Sequence, residues 1–535
     1  MYRRVRKPRN LKNQEVFEKN RINDATLKAE ERVDKVLTDS VEENLKKFKA
    51  FLSDSTDVVF REFKVGKKSI PCALVYVDGL VEKSVIHDQL MKSLMLELPL
   101  VEAQIGEITK EDAFDQIKGL ALTVADVKDK DSLDEAILLI LSGEVALIID
   151  GCSKVLIISA RGWPMRAISE PGTESVIRGP REGFTETLRM NTALLRRKCK
   201  DPNMVIKTIK LGRRSKTDVA YVYVKGIVSR ELVAEVEKRL SEIDVDGILE
   251  TGQIEQWIQD DWLTPFPQIQ ITERPDKTIA NIFEGRVAIM VDNSPFAIIV
   301  PTTFYQYFQS PEDYYERWMI ASFLRTLRWI ASFIATFSPA LYIAVISYHP
   351  GFIPTELALS IASSRANVPF PVFIEALLME ITIELVRESG ARLPKPIGQA
   401  IGIVGGIVIG DAAVRAGVTS PILVIIVALT AVASFAIPTY SAAISFRLVR
   451  FPMMILASIL GLYGVMLGFI ALNIHLVNLK SFGANYMAPQ SPAIYQDWKD
   501  FLLRFPFHLL KRRPVETFPV DIDRMDQDDL KGAKA

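Results

Sequence analysis

The hydrophobic positions of this chain follow two regimes. Over the first 315 residues they recur at short intervals between charges, while 318–480 holds long runs with no charged side chain. In 13–52, Val16, Phe17, Ile22, Leu27, Val33, Val36, Leu37, Val41, Leu45 and Phe48 are spaced mostly by three and four, which predicts an amphipathic helix. From 56 to 160 strand and helix periods alternate. Val58–Phe63 and Ile70–Val77 read as strands around a Val65–Lys68 turn, and Ser84–Leu98 as a helix stopping at Pro99. Leu133–Leu141 reads as a helix, and 145–160 as two buried strands about Asp150-Gly151.

After Trp163-Pro164 a similar cycle begins. Phe184–Arg197 and Glu231–Leu240 read as helices, and Val205–Leu211 and Val219–Val224 as strands. Val287–Val291 and Phe296–Val300 repeat the hairpin about Asp292-Asn293-Ser294. The stretch 170–183, EPGTESVIRGPREG, lacks the Gly-Lys-Ser/Thr ending of a phosphate loop and reads as a turn between subdomains. In 272–278, TERPDKT, Pro275 and Asp276 mark a helix start.

Four membrane-embedded helices are expected in the second regime. Residues 329–348 offer a bilayer's length without a charge, with Trp329 and Tyr348 at the ends and Pro339 as a kink. Residues 397–414 carry one charge, Asp411, and 416–446 and 451–479 are longer runs divided by an expected turn at Arg447–Arg450. The segment 368–388 is also apolar, yet carries Glu375, Glu380, Glu384 and Glu388, the last three on one helical stripe. Charges in lipid cost about 2.5–3.5 kcal/mol each, so the stripe either lines a cation pathway or lies solvated at the interface. With the amino-terminal half inside, a crossing at 368–386 would send the carboxyl tail, with Lys511, Arg512 and Arg513, outside; the sequence leaves this parity open.

Gly398, Gly402, Gly406 and Gly410 recur at every fourth position and predict a helix groove that another backbone can approach, for packing or for lining a pore. Gly461, Gly464 and Gly468 give a weaker version. The expected organisation is a basic helical segment (1–55), two soluble α/β subdomains (56–165 and 166–310), a transmembrane domain of four to six helices (316–480) and a polar tail (481–535) whose final run reads as disordered. The fold class is thus α+β: two α/β subdomains followed by an α-helical transmembrane bundle.

Composition narrows the chemistry. Lys+Arg and Asp+Glu are 65 each, so charge does not point to nucleic acid. Cys72, Cys152 and Cys199 are widely spaced and fit a reducing compartment, and the four histidines are scattered. No catalytic constellation, cofactor motif or metal cage is expected, so the chain does not read as an enzyme. The basic start is not followed by an apolar segment, so no secretory signal is expected and the first 300 residues should stay where they were made.

The motifs EPGTESVIRGPREGFTETL, PFPQIQITERPDKT, EGRVAIMVDNSPFAIIVP, EDYYERW, HPGFIPTELALSIA, VPFPVFIEALLME, RLPKPIGQAIGIVGGIVIG and HLVNLKSFG, in order from Glu170 to Gly483, resemble the GerA family of spore germination proteins. The resemblance implies the A subunit of a nutrient germinant receptor in the spore inner membrane, with its soluble region on the core side. It implies partnership with a transporter-like B subunit and a lipoprotein C subunit. It also implies self-association, possibly as a pentamer, into a channel for monovalent cations embedded in membrane lipid. Two alternatives accompany it: an auxiliary GerA-like channel of the SpoVA-associated F protein type, and a non-conducting receptor scaffold.

Overall fold

The computed structural model describes residues 36–105, 109–110, 112–121, 127–162, 170–391 and 410–525. Within 13–52, the predicted amphipathic helix is found as Val41–Leu52, and the part before residue 36 lies outside the described residues. Its stripe of Val41, Leu45, Phe48 and Leu52 is buried against a five-stranded sheet.

That sheet comprises β1 (Val58–Val65), β2 (Ile70–Val77), β3 (Val127–Lys130), β4 (Val145–Ile149) and β5 (Val155–Ile158), in the spatial order β1-β2-β4-β5-β3. A second sheet comprises β6 (Met204–Leu211), β7 (Thr217–Val224), β8 (Gln270–Thr272), β9 (Val287–Val291) and β10 (Ala297–Val300), in the order β6-β7-β9-β10-β8. The two orders are the same plan, and every pairing is antiparallel. In both sheets the central strands are buried on both faces because helices cover each side, which is why they read as continuous apolar runs. The duplication extends to single bonds. Asn44 closes a loop onto the Thr38 backbone, and Asn191 closes the equivalent loop onto Thr185. The Val41 N–H donates to Asp150, and the Leu188 N–H donates to Asp292, each aspartate coming from the turn between the two most buried strands.

Two expected helices shift and two strands were not expected. The helix expected to stop at Pro99 runs on through it, because the π-helical turns Val85–Met91 and Ser93–Glu97 lead directly into Leu98–Ile105. The helix expected from Phe184 begins at Leu188, after extended Thr187. The edge strands β3 and β8, three or four residues long, carry too little alternation to be read from sequence. The subdomains are joined by a buried ion pair, Arg196 Nε to Asp57 at 2.8 Å, and by the Thr56 N–H donating to the Ile206 carbonyl at 2.8 Å.

Beyond β10 the chain enters a helical bundle. Helix Trp318–Tyr348 has 31 residues, about 46 Å, and contains the expected 329–348 run with Pro339 buried inside it. Helix Val372–Ala391 and helix Pro421–Phe435 follow, then Tyr440–Asn478. By length and composition, Trp318–Tyr348 and Tyr440–Asn478 could each cross a bilayer.

The last of these is a hairpin. Gly461 has φ 61° and ψ −141°, outside helical values. The rings of Phe446 and His475 both reach Phe266, at 5.8 and 6.4 Å. Residues 29 positions apart on one straight helix would be about 44 Å apart, so the chain reverses at Gly461. Gly464 lies against Leu456 and Gly468 against Met453, which lets the arms 440–460 and 462–478 close.

The turn expected at Arg447–Arg450 is not there: both arginines lie within the first arm, and the break falls earlier, where Pro438 and the extended Thr439 separate Phe435 from Tyr440. The extra reversal also brings the carboxyl tail back to the soluble half. Ser481 donates to the Gln268 carbonyl at 2.7 Å, and the Phe482 N–H donates to Asp260 at 2.7 Å. An aromatic cluster joins bundle to sheets: Trp329 stacks on Phe308 at 4.0 Å, and Phe304 packs edge-on to Phe446. Trp329 thus serves the internal junction.

Candidate functional site

Helix Val372–Ala391 carries the carboxylates through an apolar bundle. Two are completely buried, at 0% exposure for Glu375 and Glu380. A buried carboxylate is tolerated only when a cation and hydrogen bonds replace its water. Each has them. Glu375 Oε2 lies 3.3 Å from Arg365, and its Oε1 accepts from Thr419 Oγ1 at 3.2 Å and from the Ser420 N–H at the start of helix Pro421–Phe435. Glu380 accepts from Arg450, which also donates through Nε to the Ala335 carbonyl at 2.8 Å. Glu384 is shared between Arg447 at 2.8 Å and Arg387 at 3.1 Å, and Arg387 reaches Ser434 at 2.9 Å. Glu388 is exposed at the end of the helix.

As the glutamate numbers rise from 380 to 384, the arginine numbers fall from 450 to 447. The helix therefore runs antiparallel to the arm 440–460, and the Glu380 and Glu384 sites form one column against it, while Glu375, five positions before Glu380 and so about 140° round the helix, pairs on another face with Arg365. The arginines are what sequence reading missed. Their signal was present: Arg447 and Arg450 are three apart on one helical face, the complement of Glu380 and Glu384 four apart on another.

Gly398, Gly402 and Gly406 lie outside the described residues. Gly410 opens helix Gly410–Arg415 and is buried; a Cβ there would stand 3.3 Å from Val424, so this glycine admits helix Pro421–Phe435 closely. Asp411 pairs with Arg415 on the surface.

The bundle is tied to the soluble half by charge. Asp313 is 1% exposed and receives Arg328 at 2.8 Å and Arg325 at 3.2 Å from helix Trp318–Tyr348, while Arg325 also holds Asp500 at 2.9 Å. The loop 170–183 belongs to the same junction. Buried Arg274 donates to the carbonyls of Glu174 and Pro180, Lys277 pairs with Glu174 at 2.6 Å, and Tyr315 donates to Asp276. The loop is therefore a strap between the second sheet and the residues entering the bundle.

Comparison with known proteins places this arrangement. The family described as "Bacillus/Clostridium GerA spore germination protein" matches residues 46–516. Spore germination protein GerLA of Bacillus cereus is 44% identical over 472 residues, covering 88% of this chain and 94% of that protein. Spore germination protein KA of Bacillus subtilis (strain 168) is 42% identical, covering 92% and 89%. An uncharacterized membrane protein of the same organism, YfkQ, is 43% identical, covering 91% and 93%. A crystal structure of the N-terminal domain of the A subunit of the Bacillus megaterium spore germinant receptor GerK3 is 35% identical with a TM-score of 0.41, covering 51% of this chain and 99% of that one. With a family match over residues 46–516 and relatives above 40% identity over 88% to 92% of its length, the chain belongs to the GerA family of spore germination proteins.

Proposed function

We propose that this chain is the A-type subunit of a nutrient germinant receptor, spanning the spore inner membrane several times with its two sheets facing the core. In this reading it self-associates, works beside a transporter-like B subunit and a lipoprotein C subunit, and gates the release of monovalent cations. The observation that carries it is the column of Glu380 and Glu384 paired with arginines in an apolar bundle, with Glu375 buried on another face of the same helix. Well-packed apolar residues often stabilise a fold as well as buried ion pairs do, so charges kept at such depth point to a task rather than to stability. The pairing with arginine corresponds to a closed state. A shift of helix Val372–Ala391 against the hairpin would uncouple the pairs and turn carboxylates toward a cation path.

Single-channel recording of the purified protein in lipid tests this directly. Cation-selective currents that fall in Glu384→Gln, with the protein still folded, support the reading. Silent bilayers containing correctly assembled protein would leave the family's role in germination but remove conduction from this chain.

A further inference from the structure

A cavity of about 1100 Å³ lies between the second sheet, the segment after β10 and the carboxyl-terminal residues 489–524. It lies outside the glutamate column. Two of its carboxylates stand out. The Val515 N–H donates to Asp497 at 2.8 Å, which places Asp497 beside the next residue, Glu516. Glu516 has an 8% exposed side chain; one oxygen is 3.8 Å from Arg286, and the other, Oε2, has no hydrogen-bond partner. Arg286 is committed elsewhere, donating to Asn281 at 2.7 Å and facing Glu284, which is itself taken by Arg524 at 2.7 Å. Among the described residues Asp497 has no ion-pair partner within 4 Å, and the remaining basic lining residues Lys499, His508, Lys511 and Arg512 are exposed.

Burial, reinforced by their mutual repulsion and by Glu284, pushes Glu516 up to about 8; burial and Glu284 push Asp497 up to about 6. Of the two carboxylates, Glu516 alone has a cation within 4 Å, Arg286 at 3.8 Å. Another wall is aromatic, with the rings of Tyr305 and Phe501 4.1 Å apart.

We propose that this cavity is a binding site for a small organic ammonium ion, its N–H donors divided between Asp497 and Glu516 and its carbon body set against Tyr305 and Phe501. An ammonium carries three donors, enough to satisfy both carboxylates, and aromatic faces attract organic cations. A multivalent metal fits less well, because no three His, Cys, Asp or Glu side chains among the described residues are arranged to hold one. The site bears on the bundle: three residues beyond Asp497, Asp500 holds Arg325 of helix Trp318–Tyr348. An occupant would fix the carboxyl-terminal segment against the base of that helix.

The test uses the full chain in detergent, with propylammonium chloride as probe and potassium chloride and sodium propionate at equal ionic strength as controls. The expected result is a melting temperature that rises and saturates with propylammonium alone, with binding at least tenfold weaker in Glu516→Gln and in Asp497→Asn. Both variants should fold at least as well as the parent, since each relieves carboxylate repulsion. The absence of a saturable shift, an equal shift with potassium, or a shift that survives both substitutions overturns the proposal.

Discussion

Arg450 and Glu380 form an ion pair at the centre of the bundle, with side chains only 1% and 0% exposed, and Arg450 reaches across it to the Ala335 carbonyl of helix Trp318–Tyr348. Three helices thus meet on one guanidinium. Removing one partner leaves an uncompensated buried charge, at a cost of about 3–5 kcal/mol, whereas replacing both with apolar residues is often close to neutral. Glu380→Leu and Arg450→Met should each lower the melting temperature in detergent strongly, and the double variant should recover most of the loss. Additive losses would show that the two residues are not coupled.

The hairpin tip gives a second prediction. A Cβ at Gly464 would overlap the Leu456 carbonyl, and one at Gly468 would collide with Met453, so the arms stay together only while both positions are bare. Gly464→Leu should separate them. Cysteines placed at 446 and 475, which lie on either side of Phe266 in the parent, should then lose crosslinking by a bifunctional thiol reagent long enough to pass that ring. Unchanged crosslinking in Gly464→Leu would mean that the arms meet by another face.

These contacts mark what sequence could and could not convey. The two α/β cycles were legible because buried strands such as Val145–Ile149 and Val287–Val291 are apolar throughout and end at Asp-containing turns. The presence of glutamates in an apolar helix was equally plain. Their partners were not, because Arg447 and Arg450 lie more than 60 residues away and resembled a polar turn between two spans. The reversal at Gly461 was hidden for a related reason. Gly461, Gly464 and Gly468 predict close packing, but periodicity does not say that the partner is the same segment folded back. The carboxyl segment looked like a polar tail because its anchors, such as Ser481 to Gln268, are single polar contacts without a period.

The matched sheets predict matched costs. Asp292 accepts from the Leu188 N–H at 3.0 Å and Asp150 from the Val41 N–H at 3.3 Å, each satisfying a helix-start donor from the opposite hairpin. A hydrogen bond to a charged acceptor contributes about 1.5–3 kcal/mol, so Asp292→Ala should destabilise the soluble half within that range. Asp150→Ala should cost at least as much, because Asp150 also pairs with Lys110 at 2.6 Å. Denaturant titration of the two variants checks both values; an unaffected midpoint for Asp292→Ala would show that the bond contributes nothing net.

The pH dependence of the carboxyl-terminal segment follows from Asp497 and Glu516. Their ordinary values are 3.8 and 4.5, and in the folded chain they rise to about 6 and about 8. The folded state thus holds both protons more tightly than the unfolded chain does. The stability they contribute is fully present below the unfolded values and is lost as pH climbs, first through about 6 and then through about 8. The groups facing them are Glu284 and Asp500 on the acidic side and Arg286 and Arg524 on the basic side, with Lys499, His508, Lys511 and Arg512 on the exposed wall of the cavity. Limited proteolysis within 489–524 should therefore accelerate from about pH 4 to about pH 8 and level off above it. Glu516→Gln should remove the upper part of that rise and Asp497→Asn the lower part, because each replaces a titrating carboxyl with a neutral amide. A proteolysis rate that stays flat across the interval, or a profile that neither substitution alters, would mean that the two carboxylates do not hold their protons in the folded chain.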